Sequence, residues 1–240
     1  MRTKVETLEL FLHAIRKRLK LSKEEIKMAP RRLALQDIQA VFTEIYRTNA
    51  WHGESSVSGM GSGLNQTATI RRQLPQILRD FNVHSMLDAA CGDYFWLKEA
   101  ELPLDRYVGI DIVKPLIAHN RQTYGGERRD FLCLNLVTNP LPQVDLILCR
   151  DCLVHLPLND ALAAIGNFKR SQSTFLLTTT FTETLRNKDK NRGRWRPLNL
   201  EIPPFDFPPP SKIINEQCTC MGGQYPYKCL GLWRLDAISV

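Results

Sequence analysis

The chain has 240 residues, of which 43% are hydrophobic and 24% charged, with a formal net charge of +7. This composition excludes an intrinsically disordered chain, and the length fits one α/β domain with an appendage. No apolar stretch approaches the length of a membrane span, and the charged first residues do not fit a signal peptide. Seven cysteines, an odd number, indicate a reducing compartment, so we expect a cytoplasmic protein.

Positive charge is concentrated at the start of the chain. Residues 1–32 hold ten Lys and Arg against four Asp and Glu, which leaves +6 of the total of +7 in this arm. Apolar residues at three- and four-residue steps predict one amphipathic helix over 5–19 and a second over 35–45. The arm suits contact with nucleic acid, anionic lipid or an acidic partner, but a solvated helix face is the simpler interpretation.

The middle of the chain alternates between strand and helix patterns. Residues 51–63 (WHGESSVSGMGSG) form a predicted loop, and a helix is predicted over 64–80. Strands are predicted at 83–87, 107–110, 131–134, 144–149, 174–180 and 230–235, and helices at 94–100, 115–124 and 160–170. This alternation predicts a doubly wound, Rossmann-like α/β sheet with an N-terminal helical extension. We divide the chain into an extension with the Gly/Ser loop, residues 1–63, and a domain, residues 64–240.

The first predicted strand runs into a glycine turn, LDAACGDY at 87–94. Close approach of a ligand to the backbone requires the glycine, Gly92, and a helix beginning near Asp93 would present free N–H groups to an anion. Asp111, at the end of the second strand, is placed to accept both hydroxyls of a ribose. A dinucleotide fingerprint needs further glycines, so the single Gly92 disfavours a nicotinamide cofactor.

The string from Met86 to Asp93 resembles the first motif of class I S-adenosylmethionine-dependent methyltransferases, although the family usually has glycine where Ala90 and Tyr94 stand. Later segments resemble the following motifs in the same order. These segments are 107–112, 131–136, 144–157 and 174–181. The flanks 54–67 and 193–210 resemble a narrower group of methyltransferase-domain proteins. The resemblance implies a Rossmann-like methyltransferase that uses S-adenosyl-L-methionine.

The resemblance also implies which residues bind the cofactor. These are Asp88, Ala90, Gly92, Asp93, Asp111, Ile112, Asn135, Leu136 and Arg150. In this scheme Asp88 and Gly92 hold the methionine end, Asp111 the ribose and Asn135 the adenine amino group. The alternatives are a helix-capping role for Asp111 and a turn role for Asn135.

Two residues are candidates for catalysis. Asp151 and His155 lie four residues apart, so a helix would bring both to one face near the cofactor. His155 would then accept a proton from a hydroxyl and Asp151 would orient it. The alternative is a histidine at a helix start that bonds only to backbone.

Acceptor binding is expected from the segments that flank the sheet. We predict that Trp51, Arg194, Trp195 and Arg196 contact the acceptor, with the loop 51–63 and the block 192–210 closing over one mouth. The Pro-rich part of that block, 197–210, is expected at the surface or in a lid. The alternative is that its aromatic residues only anchor a long loop onto the core.

The favoured function is methyl transfer to a hydroxyl of a small molecule or saccharide. The rivals are an RNA or protein methyltransferase that docks through its basic arm, and a non-catalytic subunit that keeps the cofactor fold. A zinc site built from Cys149, Cys152, Cys218 and Cys220 is a further alternative, and no metal is expected. The sequence does not indicate an oligomeric state.

Overall fold

The computed structural model describes residues 37–239, and residues from Val41 onward form one compact unit. The predicted helix at 5–19 and the basic arm lie outside the described residues. None of the described helices combines the length and the apolar character needed to cross a lipid bilayer.

The described residues contain four α-helices of eleven residues or more, α1 (Ile38–Thr48), α2 (Leu64–Asp80), α3 (Lys114–Tyr124) and α4 (Leu158–Arg170), and a four-residue helical turn at Cys220–Gly223. The predicted helix over 64–80 matches α2 at both ends. Its buried face includes Ile70, Leu74 and Leu78, which recur at the spacing of one helix stripe. α3 begins with Pro115 in its first turn, where a residue without an N–H group costs no hydrogen bond.

Seven strands form one sheet: β1 (Ser85–Ala89), β2 (Arg106–Asp111), β3 (Arg129–Cys133), β4 (Leu146–Cys149), β5 (Phe175–Phe181), β6 (Lys212–Asn215) and β7 (Lys228–Arg234). Their order is β3-β2-β1-β4-β5-β7-β6, with the first five parallel and β7 antiparallel to both of its neighbours. The predicted Rossmann-like α/β fold is confirmed. The carboxyl ends of the parallel strands share one edge, which is where open α/β sheets bind ligands.

One strand was not predicted. β6 has only four residues, and it pairs with β7 alone. Because β6 pairs with its outer side, β7 is an interior strand of the sheet and not an edge strand, and six of its seven residues are buried. An interior position places Lys228, the first residue of β7, inside the molecule.

The predicted helix at 94–100 is wrong. Residues 93–96 form a turn followed by a short 3-10 helix, Leu97–Glu99. Tyr94 adopts a left-handed conformation (φ 57°), and its ring packs 5.1 Å from that of Tyr107 and 5.3 Å from that of Phe131. Burying the Tyr94 ring in this cluster takes precedence over helix formation, so no α-helix N-terminus follows Gly92 within residues 93–100.

The expectation of a surface or lid segment at 197–210 is also wrong. Leu198, Leu200, Phe205 and Phe207 are buried, and the ring of Phe207 lies 5.3 Å from that of Trp233 on β7. The alternative holds: the prolines shape a connection that is anchored on the core.

A buried amide holds this connection in place. The Nδ2 group of Asn187 donates to the carbonyl oxygens of Asn199 (2.8 Å) and Pro203 (2.9 Å), while its Oδ1 accepts the N–H of Asn199 (2.9 Å). One side chain therefore satisfies backbone groups that have no strand to pair with.

We expect Asn187→Ala to destabilise the protein by roughly 1–3 kcal/mol, because it leaves buried backbone groups without partners. The measurement is chemical denaturation combined with limited proteolysis between residues 187 and 206. Arg186→Ala, at the exposed neighbouring position, is the control. Equal stability and equal protease resistance in the two variants would show that the amide does not order the connection.

Candidate active site

Two carboxylates lie at the carboxyl ends of β1 and β2. Asp88 is 5% exposed and accepts a hydrogen bond from the Tyr107 hydroxyl at 2.9 Å. Burial raises the pKa of Asp88 to about 7. Asp111 accepts the N–H groups of Gly92 (3.2 Å) and Val113 (2.9 Å), one on each oxygen. Burial raises the pKa of Asp111, and these two hydrogen bonds oppose the rise.

The turn between these carboxylates is built around Gly92, which has a φ of 54°. A Cβ atom at this position would lie 2.1 Å from the Oγ of Ser58, so only glycine fits. Asn120 donates to the Gly92 carbonyl at 2.7 Å, and its own Oδ1 is buried without a hydrogen-bond partner among the described residues. A tight glycine turn with two buried carboxylates and an unpaired amide oxygen fits the amino-acid and ribose parts of S-adenosylmethionine.

Asp93 has a different partner from the one expected. Its carboxylate accepts hydrogen bonds from Ser56 Oγ (2.9 Å), the N–H of Val57 (3.0 Å) and Ser58 Oγ (3.2 Å). Both oxygens therefore face the Gly/Ser loop, residues 51–63. The structure makes Asp93 the residue that fastens this loop to the cofactor turn, rather than a cofactor ligand.

The remaining predicted cofactor residues fall into two groups. Ala90 and Ile112 are half-buried beside the two carboxylates. Asn135 and Leu136 follow β3, where Asn135 Oδ1 accepts the Val137 N–H at 2.9 Å and closes a local turn, the alternative noted for it. The Leu136 carbonyl accepts from Asn167 on α4 at 2.9 Å.

A cavity of about 180 Å³ opens beside this turn. It brings together Trp51 and Trp195 with Asp151 and His155, and its wall also includes Ser58, Gly59, Met60, Gly61, Phe181, Cys218, Cys220, Met221, Tyr225 and Lys228. The loop 51–63 and the block 192–210 thus each contribute a tryptophan to one cavity.

The two arginines expected to contact the acceptor do not line the cavity. Arg194 is exposed. Arg196 is 3% exposed and donates to the carbonyl oxygens of Leu153 (3.0 Å) and Lys188 (3.1 Å). The expectation for both residues is corrected: Arg196 supports the backbone near the cavity, and neither arginine is part of the cavity wall.

His155 lies in a 3-10 turn, Leu153–His155, and not in the α-helix that was expected. Its ring stacks on Trp51 with the centroids 4.6 Å apart. Burial lowers the pKa of His155 to about 4, although Asp151 raises it in part, so the ring is neutral at physiological pH. Its Nδ1 is buried with no hydrogen-bond partner in residues 37–239, and no hydrogen bond there joins His155 to Asp151.

Asp151 belongs instead to a buried charge network with three other side chains. The Asp151 Oδ2 pairs with Lys228 Nζ at 2.5 Å and with Arg150 Nη1 at 3.3 Å. Glu216 Oε2 pairs with the same two cations, with Arg150 Nη2 at 2.7 Å and with Lys228 Nζ at 3.1 Å. Burial opposes the charge of Asp151, but Lys228 and Arg150 outweigh burial and lower its pKa to about 2. Asp151 is therefore a permanent carboxylate and not a proton acceptor.

Arg150 also fastens the Gly/Ser loop from its other end. Its Nη2 donates to the carbonyl oxygen of Gly61 at 2.9 Å. The guanidinium of Arg150 is thus committed to Gly61, Asp151 and Glu216, whereas the sequence placed it against the cofactor.

The cysteines give no metal centre. All seven are free thiols, and Cys218 and Cys220 line the cavity. Within residues 37–239, no group of three or more His, Cys, Asp or Glu side chains is arranged to hold a metal ion.

Comparison with known proteins agrees with this geometry. Residues 87–174, from β1 to the residue before β5, match the family described as "Methyltransferase domain". The chain carries a methyltransferase domain. This match confirms the predicted methyltransferase family for residues 87–174.

Solved structures resemble the methyltransferase domain in fold. Human N-acetylserotonin methyltransferase in complex with S-adenosylmethionine is 16% identical with a TM-score of 0.52, and the match covers 80% of this chain and 58% of that one. Magnesium protoporphyrin IX methyltransferase from Synechocystis with bound S-adenosylhomocysteine is 17% identical (TM-score 0.39, coverage 50% and 60%). The methyltransferase domain of a bacterial Hen1 protein is 14% identical (TM-score 0.41, coverage 48% and 66%).

The chain spans about 60% of the length of these solved chains. At these identities the resemblance shows the fold alone. No curated protein matches the chain by sequence.

The raised pKa of Asp88 predicts how stability depends on pH. A carboxyl whose pKa is higher in the folded protein than in the unfolded chain stabilises the fold when protonated, and this contribution is lost as the pH rises from about 4 to 7. Asp88→Asn imitates the protonated form, so its stability relative to wild type should increase over this range, by at most about 1.4 kcal/mol per pH unit. Chemical denaturation at pH 4, 5.5 and 7 measures the difference.

Asp130→Asn, at an exposed position on β3, is the matched control and should follow wild type at every pH. If Asp88→Asn also runs parallel to wild type, the Asp88 carboxyl is ionised in the fold as in solution.

Proposed function

We propose that the protein transfers a methyl group from S-adenosylmethionine to a hydroxyl of a small molecule or saccharide bound in the cavity. The observation that carries the proposal is the shared loop: Ser58 contacts the Gly92 turn and also lines the cavity that holds Asp151 and His155. A cofactor in the turn and an acceptor in the cavity would therefore be neighbours.

Three residues would hold the cofactor. Asp111 would accept ribose hydroxyls, and the Gly92 turn and Asp88 would hold the methionine end. The cofactor supplies a methyl group activated by a positively charged sulfur. The protein then needs to bring the acceptor oxygen in line with that methyl group and to keep water away, which a small aromatic-walled cavity does.

His155 would accept a hydrogen bond, and then the proton, from the acceptor hydroxyl. It is neutral at physiological pH, and it lines the cavity. Asp151 would act by its charge, because an imidazolium formed at His155 is stabilised by a nearby carboxylate.

The size of the cavity supports a small acceptor. About 180 Å³ accommodates a compact molecule, and two tryptophans limit its width. The free cysteines support a reducing compartment, so we further propose that the protein acts in the cytoplasm.

The cofactor turn provides a direct test. Gly92→Val should abolish binding of S-adenosylhomocysteine in calorimetry, because its side chain would occupy the space taken by Ser58 and strain the left-handed turn. Gly126→Val is the control, since a Cβ at Gly126 meets no atom within 4 Å. Retained binding in Gly92→Val would mean that the cofactor binds elsewhere.

Transfer of a labelled methyl group tests the second half of the proposal. A screen of metabolites, glycans, RNA and protein with the wild-type chain identifies the acceptor. His155→Ala should then lower kcat roughly a hundredfold and leave the affinity for S-adenosylhomocysteine unchanged. His119→Ala, an exposed histidine on α3, should behave as wild type. Undiminished turnover in His155→Ala would show that no base acts there.

A further inference from the structure

The buried charge network forms part of the cavity wall. Of its four members, Asp151 and Lys228 line the cavity, whereas Arg150 and Glu216 do not. The four charges cancel, since two cations meet two carboxylates in four ion pairs. The network therefore does not require a charged ligand to balance it.

The ammonium group of Lys228 has one donor left over. An ammonium group has three N–H donors, and Lys228 uses two, toward Asp151 Oδ2 and Glu216 Oε2. Because Lys228 lines the cavity, the third N–H can be donated to an oxygen atom of a bound molecule.

Lys228 is held as a cation. Its side chain is only 7% exposed, and burial alone would favour the neutral amine. Asp151 and Glu216 outweigh burial and raise the pKa of Lys228 above its usual value. A positive charge fixed in a dry cavity favours negative charge on any oxygen that it contacts.

The rest of the cavity wall is aromatic. Phe181 and Tyr225 pack on Trp195, with ring centroids 5.7 Å and 4.8 Å from it, and Trp51 lies on His155. These rings suit the flat face of a planar molecule.

We propose that Lys228 is a further catalytic residue that binds the acceptor oxygen, and that the acceptor is a small phenol-type molecule with its hydroxyl at Lys228. This inference rests on the proposed methyl transfer and narrows its acceptor class.

The chemistry favours a phenol over a sugar hydroxyl. The fixed charge of Lys228 stabilises a phenolate, because a phenol has a pKa of about 10, close to that of an ammonium group, and is ionised more readily than an ordinary alcohol. The phenol oxygen passes its proton to the His155 ring, which lines the cavity, and accepts a hydrogen bond from Lys228. Its electron pair then forms the bond to the methyl carbon, the sulfur–carbon bond breaks, and the sulfur keeps that electron pair and becomes neutral.

Binding of 4-nitrophenol tests the role of Lys228 without turnover. Its phenolate is coloured, so absorbance during a pH titration gives the pKa of the bound molecule, with S-adenosylhomocysteine present to fill the cofactor site. We expect binding to lower that pKa by at least about one unit, which corresponds to phenolate binding at least tenfold tighter than phenol. Lys212→Met, at an exposed lysine of β6, should preserve the shift.

The decisive variant is the double substitution Lys228→Gln with Glu216→Gln, which removes one charge of each sign and keeps the network neutral. It should lose the shift but still bind 4-nitroanisole, which has no ionisable hydroxyl, as wild type does. The proposal is overturned if 4-nitrophenol does not bind, if its pKa does not fall on binding, or if the double variant still lowers that pKa. It is also overturned if methyl glucoside displaces bound 4-nitrophenol. A lowered pKa without labelled methyl transfer to any phenol would leave Lys228 as a phenol-binding residue, and it would overturn both the proposed methyl transfer and the catalytic role of Lys228.

Discussion

The structure around the cavity depends on one buried network of ion pairs. Arg150 follows β4, Glu216 follows β6, Lys228 begins β7, and Arg150 also holds Gly61 of the Gly/Ser loop. Segments far apart in the chain therefore meet through charge at this place, in addition to the apolar packing of β4, β6 and β7 in the core. Buried charges are costly to separate, so removing one member would leave its partners unpaired and loosen several walls together.

Much of the fold could be predicted because its signals are local. The stripe of Ile70, Leu74 and Leu78 defines α2, and continuous apolar runs define the parallel strands. The prediction failed where distant contacts outweigh local pattern. Tyr94 follows a glycine turn at a position that suits a helix. Its ring instead packs against aromatic residues of β2 and β3, and its backbone adopts a left-handed conformation.

In the candidate site, too, the residues set by local sequence could be predicted and those set by distant contacts could not. Asp88 and Asp111 lie at the carboxyl ends of neighbouring strands and Gly92 follows the first of them, so their meeting at the sheet edge follows from topology. Lys228 could not be placed in this way, because its burial depends on β6, a strand too short to recognise. A lysine at the start of a mostly apolar strand indicates a buried charge only when that strand is known to lie in the interior of the sheet.

The double role of Ser58 limits how this site can diversify. The residue lies against the cofactor turn on one side and the acceptor cavity on the other, so a substitution in this part of the loop alters both. Trp195 and Tyr225 line the same cavity from two segments outside this loop. Both natural drift and laboratory evolution toward new acceptors should therefore accumulate changes on that side, while the serine side stays nearly invariant.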